Sequence, residues 1–318
     1  MRLAVDVMGG DHAPDEILKG CLGGLAHLAP DDTLVLVGPE DIIRETLAER
    51  GVNDPRIEIE HAPDVISMED KPVDAVRGKP DSSIVRMAHL GSGKVDTARR
   101  CDAVLSAGNT GACVTAGIME MKRLRGCHRP GIAVTVPAFH GPVVMCDAGA
   151  NPDPIAKHLW QYGVMAEVVA RRTLGIERPR VAVMNIGSEE GKGSDLVREA
   201  RDMLKATPGI NFIGFVEGRD FFAGAADVIV TDGFVGNSML KMAEGLAKSL
   251  FEALFAELME HDPDLAMQLE PVVKNIYKKN DYHEFGGAPL LGVNGTMIIA
   301  HGSSEARTIS AAIRNMRM

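Results

Sequence analysis

The sequence predicts an α/β protein built on a mainly parallel, doubly wound sheet with helices on both faces, from which a helical hairpin projects. Three observations carry the prediction. Short apolar runs of strand length alternate with amphipathic stretches of helix length along most of the 318 residues, the pattern of repeated βα units. Most of those runs are apolar throughout, as in strands covered on both faces. Five of them run into polar, glycine-rich loops, and the ligands of open parallel sheets sit at the carboxyl ends of the strands. Composition admits one large domain or two smaller ones. We read a single domain over residues 1–318, with the hairpin at 238–285 as its dimerisation element.

Taken in order, strands are expected near 3–7, 33–37, 57–60 and 103–106, with helical patterns between them. The first ends in Asp6-Val7-Met8-Gly9-Gly10-Asp11-His12. There Asp6 can accept amides of the Gly9-Gly10 turn, and Asp6, Asp11 and His12 form a candidate substrate-binding or acid–base group. They lack a clear metal-ligand spacing. The strand at 103–106 enters Ser106-Ala107-Gly108-Asn109-Thr110-Gly111, where small residues open a helix and leave amides free to cradle an anion. Runs at 132–136 and 143–146 are joined by a link too short for a crossover helix, so an antiparallel hairpin interrupts the parallel pattern. It ends in Asp147-Ala148-Gly149-Ala150-Asn151-Pro152, with Asp153 as the expected N-cap and Pro154 as the first helical residue. Cys146 reads as a small buried hydrophobe, with a covalent nucleophile as its rival role.

Residues 181–195 (VAVMNIGSEEGKGSD) form the stretch around which the reading is organised. A buried-strand pattern runs into a loop with three glycines, and Ser194 or Asp195 can cap the helix that follows. Free amides at such a helix start favour an anion, but a helix terminus contributes only about 0.3 to 2 kcal/mol. Lys192 supplies a full charge, and Asn185, Gly187, Ser188 and Glu189 complete the candidate set. A nucleotide P-loop needs four residues between its first glycine and Gly-Lys-Ser/Thr. Gly187 and Gly191 enclose three, and Gly193 follows the lysine; Gly91-Ser92-Gly93-Lys94 is followed by Val95. ATP binding is excluded on both counts.

Strands near 210–215 and 228–231 follow, and the second enters Thr231-Asp232-Gly233-Phe234-Val235-Gly236-Asn237. Five such loops on one sheet predict a shared cleft. The longest helix is expected over 238–260, with Met239, Ala243, Leu246, Leu250, Leu254 and Leu258 on one stripe. Met242, Phe251 and Phe255 widen that stripe enough for two packing partners. A second helical pattern begins at Asp262-Pro263 and is interrupted by Pro271, giving a hairpin suited to a dimeric four-helix bundle. Residues 286–292 read as turn-rich, 297–300 as a strand, and His301-Gly302-Ser303-Ser304 as the entry to the last helix.

The net charge of −10 and pI near 5.5 argue against nucleic acid as a partner. Five cysteines without regular spacing, and no apolar segment of membrane-spanning length, predict a reduced cytoplasmic protein. The first residues lead straight into a strand pattern and do not read as a targeting signal, so none is expected. The densest positive cluster is Lys122-Arg123-Leu124-Arg125-Gly126-Cys127-His128-Arg129.

Six segments together carry a resemblance: 4–14 (AVDVMGGDHAP), 106–112 (SAGNTGA), 185–192 (NIGSEEGK), 232–237 (DGFVGN), 286–292 (GGAPLLG) and 300–304 (AHGSS). With them the chain resembles, over nearly its whole length, the bacterial phosphate acyltransferases that convert acyl carrier protein thioesters to acyl phosphates for phospholipid synthesis. The resemblance implies a homodimer with no cofactor, and a fold similar to isocitrate and isopropylmalate dehydrogenases and phosphotransacetylases. It implies inorganic phosphate and acyl carrier protein as substrates, and a membrane glycerol-3-phosphate acyltransferase as the downstream partner. The family is associated with membrane attachment through the hairpin tip. Here residues 257–264 (ELMEHDPD) are acidic, which anionic lipid would repel.

The reaction so implied is direct attack of a phosphate oxygen on a thioester carbonyl. Lys192 and Asn185 are then expected at the phosphate or oxyanion, helped by Asn109, Thr110 and the amides of Gly108 and Gly187. His12 and His301 are candidates for protonating the departing thiolate. Asp147, Asn151, Asp232, Gly233 and Asn237 are placed in the cleft wall, with capping of the following helices as their other reading. Lys122, Arg123, Arg125 and Arg129 are the expected dock for an acidic carrier protein. A phosphotransacetylase-like enzyme using acyl-CoA, and a non-catalytic scaffold, remain as alternatives.

Overall fold

The structure, a computed structural model, describes residues 1–138, 140–279 and 286–317. The chain forms two compact units, Met1–Ile132 with His283–Met318, and Ala133–Tyr282.

In the first unit β1 (Arg2–Asp6), β2 (Thr33–Gly38), β3 (Ile57–His61) and β4 (Ala103–Ser106) are parallel, in spatial order β3-β2-β1-β4. The strand β11 (Thr296–Ile299) continues the sheet parallel to β4, and β10 (Ala288–Leu291) pairs antiparallel with β11. Residues 286–292, expected as turns, therefore contain a strand. The positive φ of Gly286, Gly287 and Gly292 confines the turns to its two ends. Leu3, Val5, Leu34, Leu36 and Leu105 are fully buried, as unbroken apolar runs covered on both faces should be. One face is covered by α1 (Asp15–Gly24) and α10 (Ala306–Arg317), which pack closely because α1 offers glycines. A Cβ on Gly20 would stand 2.6 Å from the Ile309 Cβ, and one on Gly24 the same distance from the Ile313 Cδ1. The unit also holds α2 (Glu40–Glu49), α3 (Pro72–Gly78), α4 (Ser83–Leu90) and α5 (Thr110–Ala116).

In the second unit the expected hairpin is present: residues 133–136 of β5 (Gly131–Val136) pair antiparallel with β6 (Val143–Cys146). Parallel strands follow in the order β6-β9-β7-β8, with β7 at Arg180–Met184, β8 at Asn211–Val216 and β9 at Val228–Val230. Helices α6 (Ala156–Thr173) and α7 (Asp195–Lys205) pack on each other, with Leu159, Tyr162 and Leu204 buried. α6 starts two residues later than expected. Ile155, not Asp153, is the extended N-cap, and its amide donates to the Nδ1 of His158 in the first turn.

Two long helices complete this unit, α8 (Gly233–His261) and α9 (Pro263–Lys279). α8 begins five residues before the expected start because Asp232 caps it, its Oδ1 accepting the Val235 amide at 2.8 Å. α9 runs through Pro271 instead of breaking there. Both Pro271 and Met267, whose carbonyl loses its donor, are exposed, so water can satisfy that oxygen. Residues 280–285 of the expected hairpin lie outside the described residues. On α8 the row Met242, Leu246, Leu250 and Leu254 is 49 to 68% exposed. Among the described residues, no helix is long and apolar enough to cross a membrane.

Candidate active site

The carboxyl edge of the first unit is built over β1, β4 and β11, adjacent in that order. Asp6 closes β1 fully buried, its carboxylate accepting the Ser106 hydroxyl at 2.7 Å and the Met8 amide at 3.0 Å. Burial pushes the carboxyl above its ordinary range, while those hydrogen bonds pull it down. The Ser106 Oγ also accepts the Gly108 amide at 3.0 Å. A Cβ on Gly9 would stand 2.5 Å from the Asp6 Oδ2 and 2.6 Å from the Gly108 nitrogen, so the two loops interlock only with glycine there. Asp6 and Ser106 thus hold the loops together from inside, with no face toward a substrate.

Asn109 is the N-cap of α5, its Oδ1 accepting the Ala112 amide at 3.1 Å. Its Nδ2 donates to the carbonyls of Ser67, Met68 and Asp70 at 3.1 to 3.2 Å. Asn109 therefore fixes the 67–70 segment, which sequence reasoning missed because the contact spans about forty residues. Thr110, beside it, is partly exposed. The third loop meets the first through Asp11, whose amide donates to the Gly302 carbonyl at 2.8 Å. His301 accepts the Ser303 amide at Nδ1 (3.2 Å), so its neutral ring carries the proton on Nε2. Asp11 and His12 are exposed. Gly10 has a φ of 113° beneath the Gly302 carbonyl.

The carboxyl edge of the second unit is built over β6, β9 and β7, again adjacent in that order. Asp147 closes β6 fully buried and accepts the amides of Gly149 (3.3 Å), Ala150 (3.1 Å) and Asn151 (2.7 Å). It organises its loop and, like Asp6, has no free face. The first turn of α8 lies directly on this loop: the Gly233 amide donates to the Asn151 carbonyl at 2.9 Å. A Cβ on Gly236 would come within 2.0 Å of the Asp147 carbonyl oxygen. Asn237 is exposed beside Gly149. The Asn151 Nδ2 lies 3.3 Å from both the Tyr162 hydroxyl and the His158 Nδ1. Sequence reasoning picked out neither ring.

Over β7 stands the 185–194 loop. Asn185 is buried, and its Nδ2 donates to the carbonyls of Gly187 (2.9 Å) and Lys192 (3.2 Å), drawing the two ends of the loop together. Gly193, at φ 91°, leaves the space its Oδ1 fills. Asn185, expected among the catalytic groups, here spends its Nδ2 on holding the loop in shape. Two arginines of α7 support the loop from its other side, Arg198 donating to the Gly193 carbonyl and Arg201 to the Glu190 carbonyl. Lys192 itself is half-exposed, 3.5 Å from the carboxylate of Glu189. A pair this open to water contributes under about 1 kcal/mol, so the ammonium stays available to an incoming anion. Ser188 and Glu189 are exposed on the same loop.

Cys146 is wholly buried at the end of β6. Elsewhere, burial pushes the Cys113 thiol up to about 12. The basic cluster follows the helical turn Gly117–Met121, which Lys122 closes; beyond it Arg123 bridges antiparallel to Val293, and the Leu124 amide donates to the Gly292 carbonyl at 2.9 Å. Lys122, Arg123, Arg125 and Arg129 are all exposed, with Leu124 among them.

The fold is that of the phosphotransacetylases. The structure matches a phosphotransacetylase from Streptococcus pyogenes with a TM-score of 0.65 at 16% identity, over 99% of this chain and 93% of that one. It matches the EutD phosphotransacetylase from Staphylococcus aureus with a TM-score of 0.63 at 14% identity, over the same shares of the two chains. Residues 1–318 match the family model described as fatty acid synthesis protein. The chain is 44% identical over 317 residues to the phosphate acyltransferase of Dictyoglomus turgidum, covering 99% of this chain and 92% of that protein. It belongs to this family of phosphate acyltransferases.

Proposed function

We propose that the chain transfers a fatty acyl group reversibly from the thioester of an acyl carrier protein to inorganic phosphate. The acyl phosphate formed would supply acylation of glycerol 3-phosphate in phospholipid synthesis. The observation that carries the reading is Lys192, an available cation on a loop stapled by a buried asparagine at a strand end, in a chain of the phosphate acyltransferase family.

Phosphate is already a nucleophile, so the protein's task is to hold it beside the carbonyl and stabilise the oxyanion. One phosphate oxygen bonds to the carbonyl carbon, the tetrahedral intermediate collapses, and the C–S bond breaks. The thiolate leaves with a proton from solvent or from His12 or His301. The burial of Cys146 favours this direct route over an acyl-enzyme. Lys122, Arg123, Arg125 and Arg129, exposed around Leu124, suit an acidic carrier. Charge reversal there should raise the KM for carrier protein and flatten its salt dependence. The exposed apolar row of α8 suits a second copy of the chain in a four-helix bundle. The protein would then act in the cytoplasm, and the acidic tip leaves contact with the membrane to a partner acyltransferase.

The test is a single-turnover incubation with long-chain acyl carrier protein and labelled inorganic phosphate. Label appearing in acyl phosphate without added metal or nucleotide supports the reading. Transfer from acyl-CoA alone would replace the donor, and transfer from neither would leave a scaffold.

A further inference from the structure

We infer that Ile186 and Phe234 are specificity-determining residues for a long apolar chain: they form a floor on which the chain of an acyl phosphate lies while Lys192 holds its phosphate. The inference rests on the reaction proposed above and deepens it. Leaving aside residues 242–279 of the α8–α9 arm, the most exposed large apolar side chains among the described residues are Ile186 (80%), Phe234 (68%) and Ile155 (56%). Single exposed apolar residues are common on protein surfaces and need no explanation. These are not scattered. Ile186 follows β7, Phe234 follows β9 and Ile155 follows β6, on adjacent strands of one carboxyl edge.

The register sets Ile186 and Phe234 near one level. Cys146, Val230 and Val183 stand side by side in the sheet, with neighbouring strands about 4.8 Å apart. Ile186 comes three residues after Val183, and Phe234 four after Val230. Both positions are held from below. The Asn185 side chain, bonded to the carbonyls of Gly187 and Lys192, pins the backbone on either side of Ile186. The Asp232 cap and the Gly233 amide on the Asn151 carbonyl fix the turn that carries Phe234. The lysine stem folds back over its own loop: a Cβ on Gly187 would stand 3.3 Å from the Lys192 Cδ and 3.4 Å from its Cγ. Lys192 thus lies against the residue next to Ile186, and charge and apolar surface share one short stretch.

A cation set beside fixed apolar side chains is complementary to a chain with an anionic head. Because the backbone beneath is already ordered, little entropy is lost when the chain settles. An acyl phosphate has this form, with its first methylenes next to the phosphate. The arm that joins a thioester to its carrier bears amides, which apolar side chains cannot satisfy. The floor is therefore assigned to the acyl chain.

The experiment titrates the full-length protein with inorganic, butyl, octyl and dodecyl phosphate, each below its micelle concentration, by calorimetry. Affinity should rise about twofold for each added methylene, about half the free energy of a methylene taken fully out of water. Ile186→Ser combined with Phe234→Ser should weaken dodecyl phosphate about tenfold or more. The same variant should bind inorganic phosphate within about twofold of the original protein and keep its Tm, since both side chains are exposed. Lys192→Ala should instead weaken every one of these phosphates by a similar factor. An affinity indifferent to chain length would overturn the inference. So would an unchanged chain-length dependence in the double variant, which would put the chain elsewhere, such as on the exposed row of α8. Because the titration needs no thioester, failure of the proposed acyl donor would appear separately, as chain-length dependence without turnover.

Discussion

At the edge of the first unit the Asp6 carboxylate is shared between the Ser106 hydroxyl and the Met8 amide; at the edge of the second, Asp147 gives its own to three backbone amides. The backbone plan is otherwise the same. Three parallel strands stand side by side, and a buried aspartate closes a flanking one. The central strand runs into a helix capped by Asn109 in one unit and Asp232 in the other. In the first unit, however, Asp6 and Ser106 are turned inward and the Asn109 amide is consumed by the carbonyls of residues 67–70. In the second, the same framework displays Lys192, outside the hydrogen-bonded framework that shapes its loop. A shared strand-end geometry makes a place for a ligand, and the residues left over from building it decide which ligand.

The largest expected effect tests that contrast directly. Lys192→Ala should lower the rate of acyl phosphate formation by about 100-fold, about 3 kcal/mol, with the fold intact by circular dichroism. Near-normal turnover would remove the distinction between the edges. Next comes Gly236→Ala. An exposed helical glycine would gain about 1 kcal/mol from this change, but the contact with the Asp147 carbonyl should reverse the sign and cost about 3 kcal/mol in urea unfolding. Asp147→Asn should then cost about 2 kcal/mol, since an amide group cannot accept all three N–H groups, whereas Asp6→Asn should cost about 1 kcal/mol or less. The smallest effect is in pH. Burial raises the Asp6 pKa, so its neutral form is the one the fold prefers. The stability it contributes is present below its ordinary carboxylate value and is lost as pH rises through the folded value. Asp6→Asn should flatten that part of the stability–pH curve, and an unchanged slope would show that burial does not govern Asp6.

Much of the sheet was legible because buried parallel strands announce themselves as continuous apolar runs, and the short link after Val136 forced the antiparallel hairpin. The loops at the strand ends were legible as glycine with polar residues. Their division of labour was not. Asn185 and Lys192 stand in one loop and look alike as candidates, yet only the folded chain shows one buried as a staple and the other displayed. β10 was hidden by the glycines on either side of it, which carry a stronger local signal than four residues of strand. The contact of the Ile155 amide with the His158 Nδ1 had no sequence mark either, since a histidine on an amphipathic helix looks like any other polar residue there.

α8 starts at the carboxyl edge of the second unit at Gly233 and runs 29 residues to the acidic tip, about 43 Å of continuous helix. Its first turn is clamped where Gly236 meets the Asp147 carbonyl. Mechanically that contact is a fulcrum set at one end of a long arm. By lever geometry alone, a tilt of a few degrees about that contact corresponds to ångströms at the far end and to almost nothing at the clamped turn.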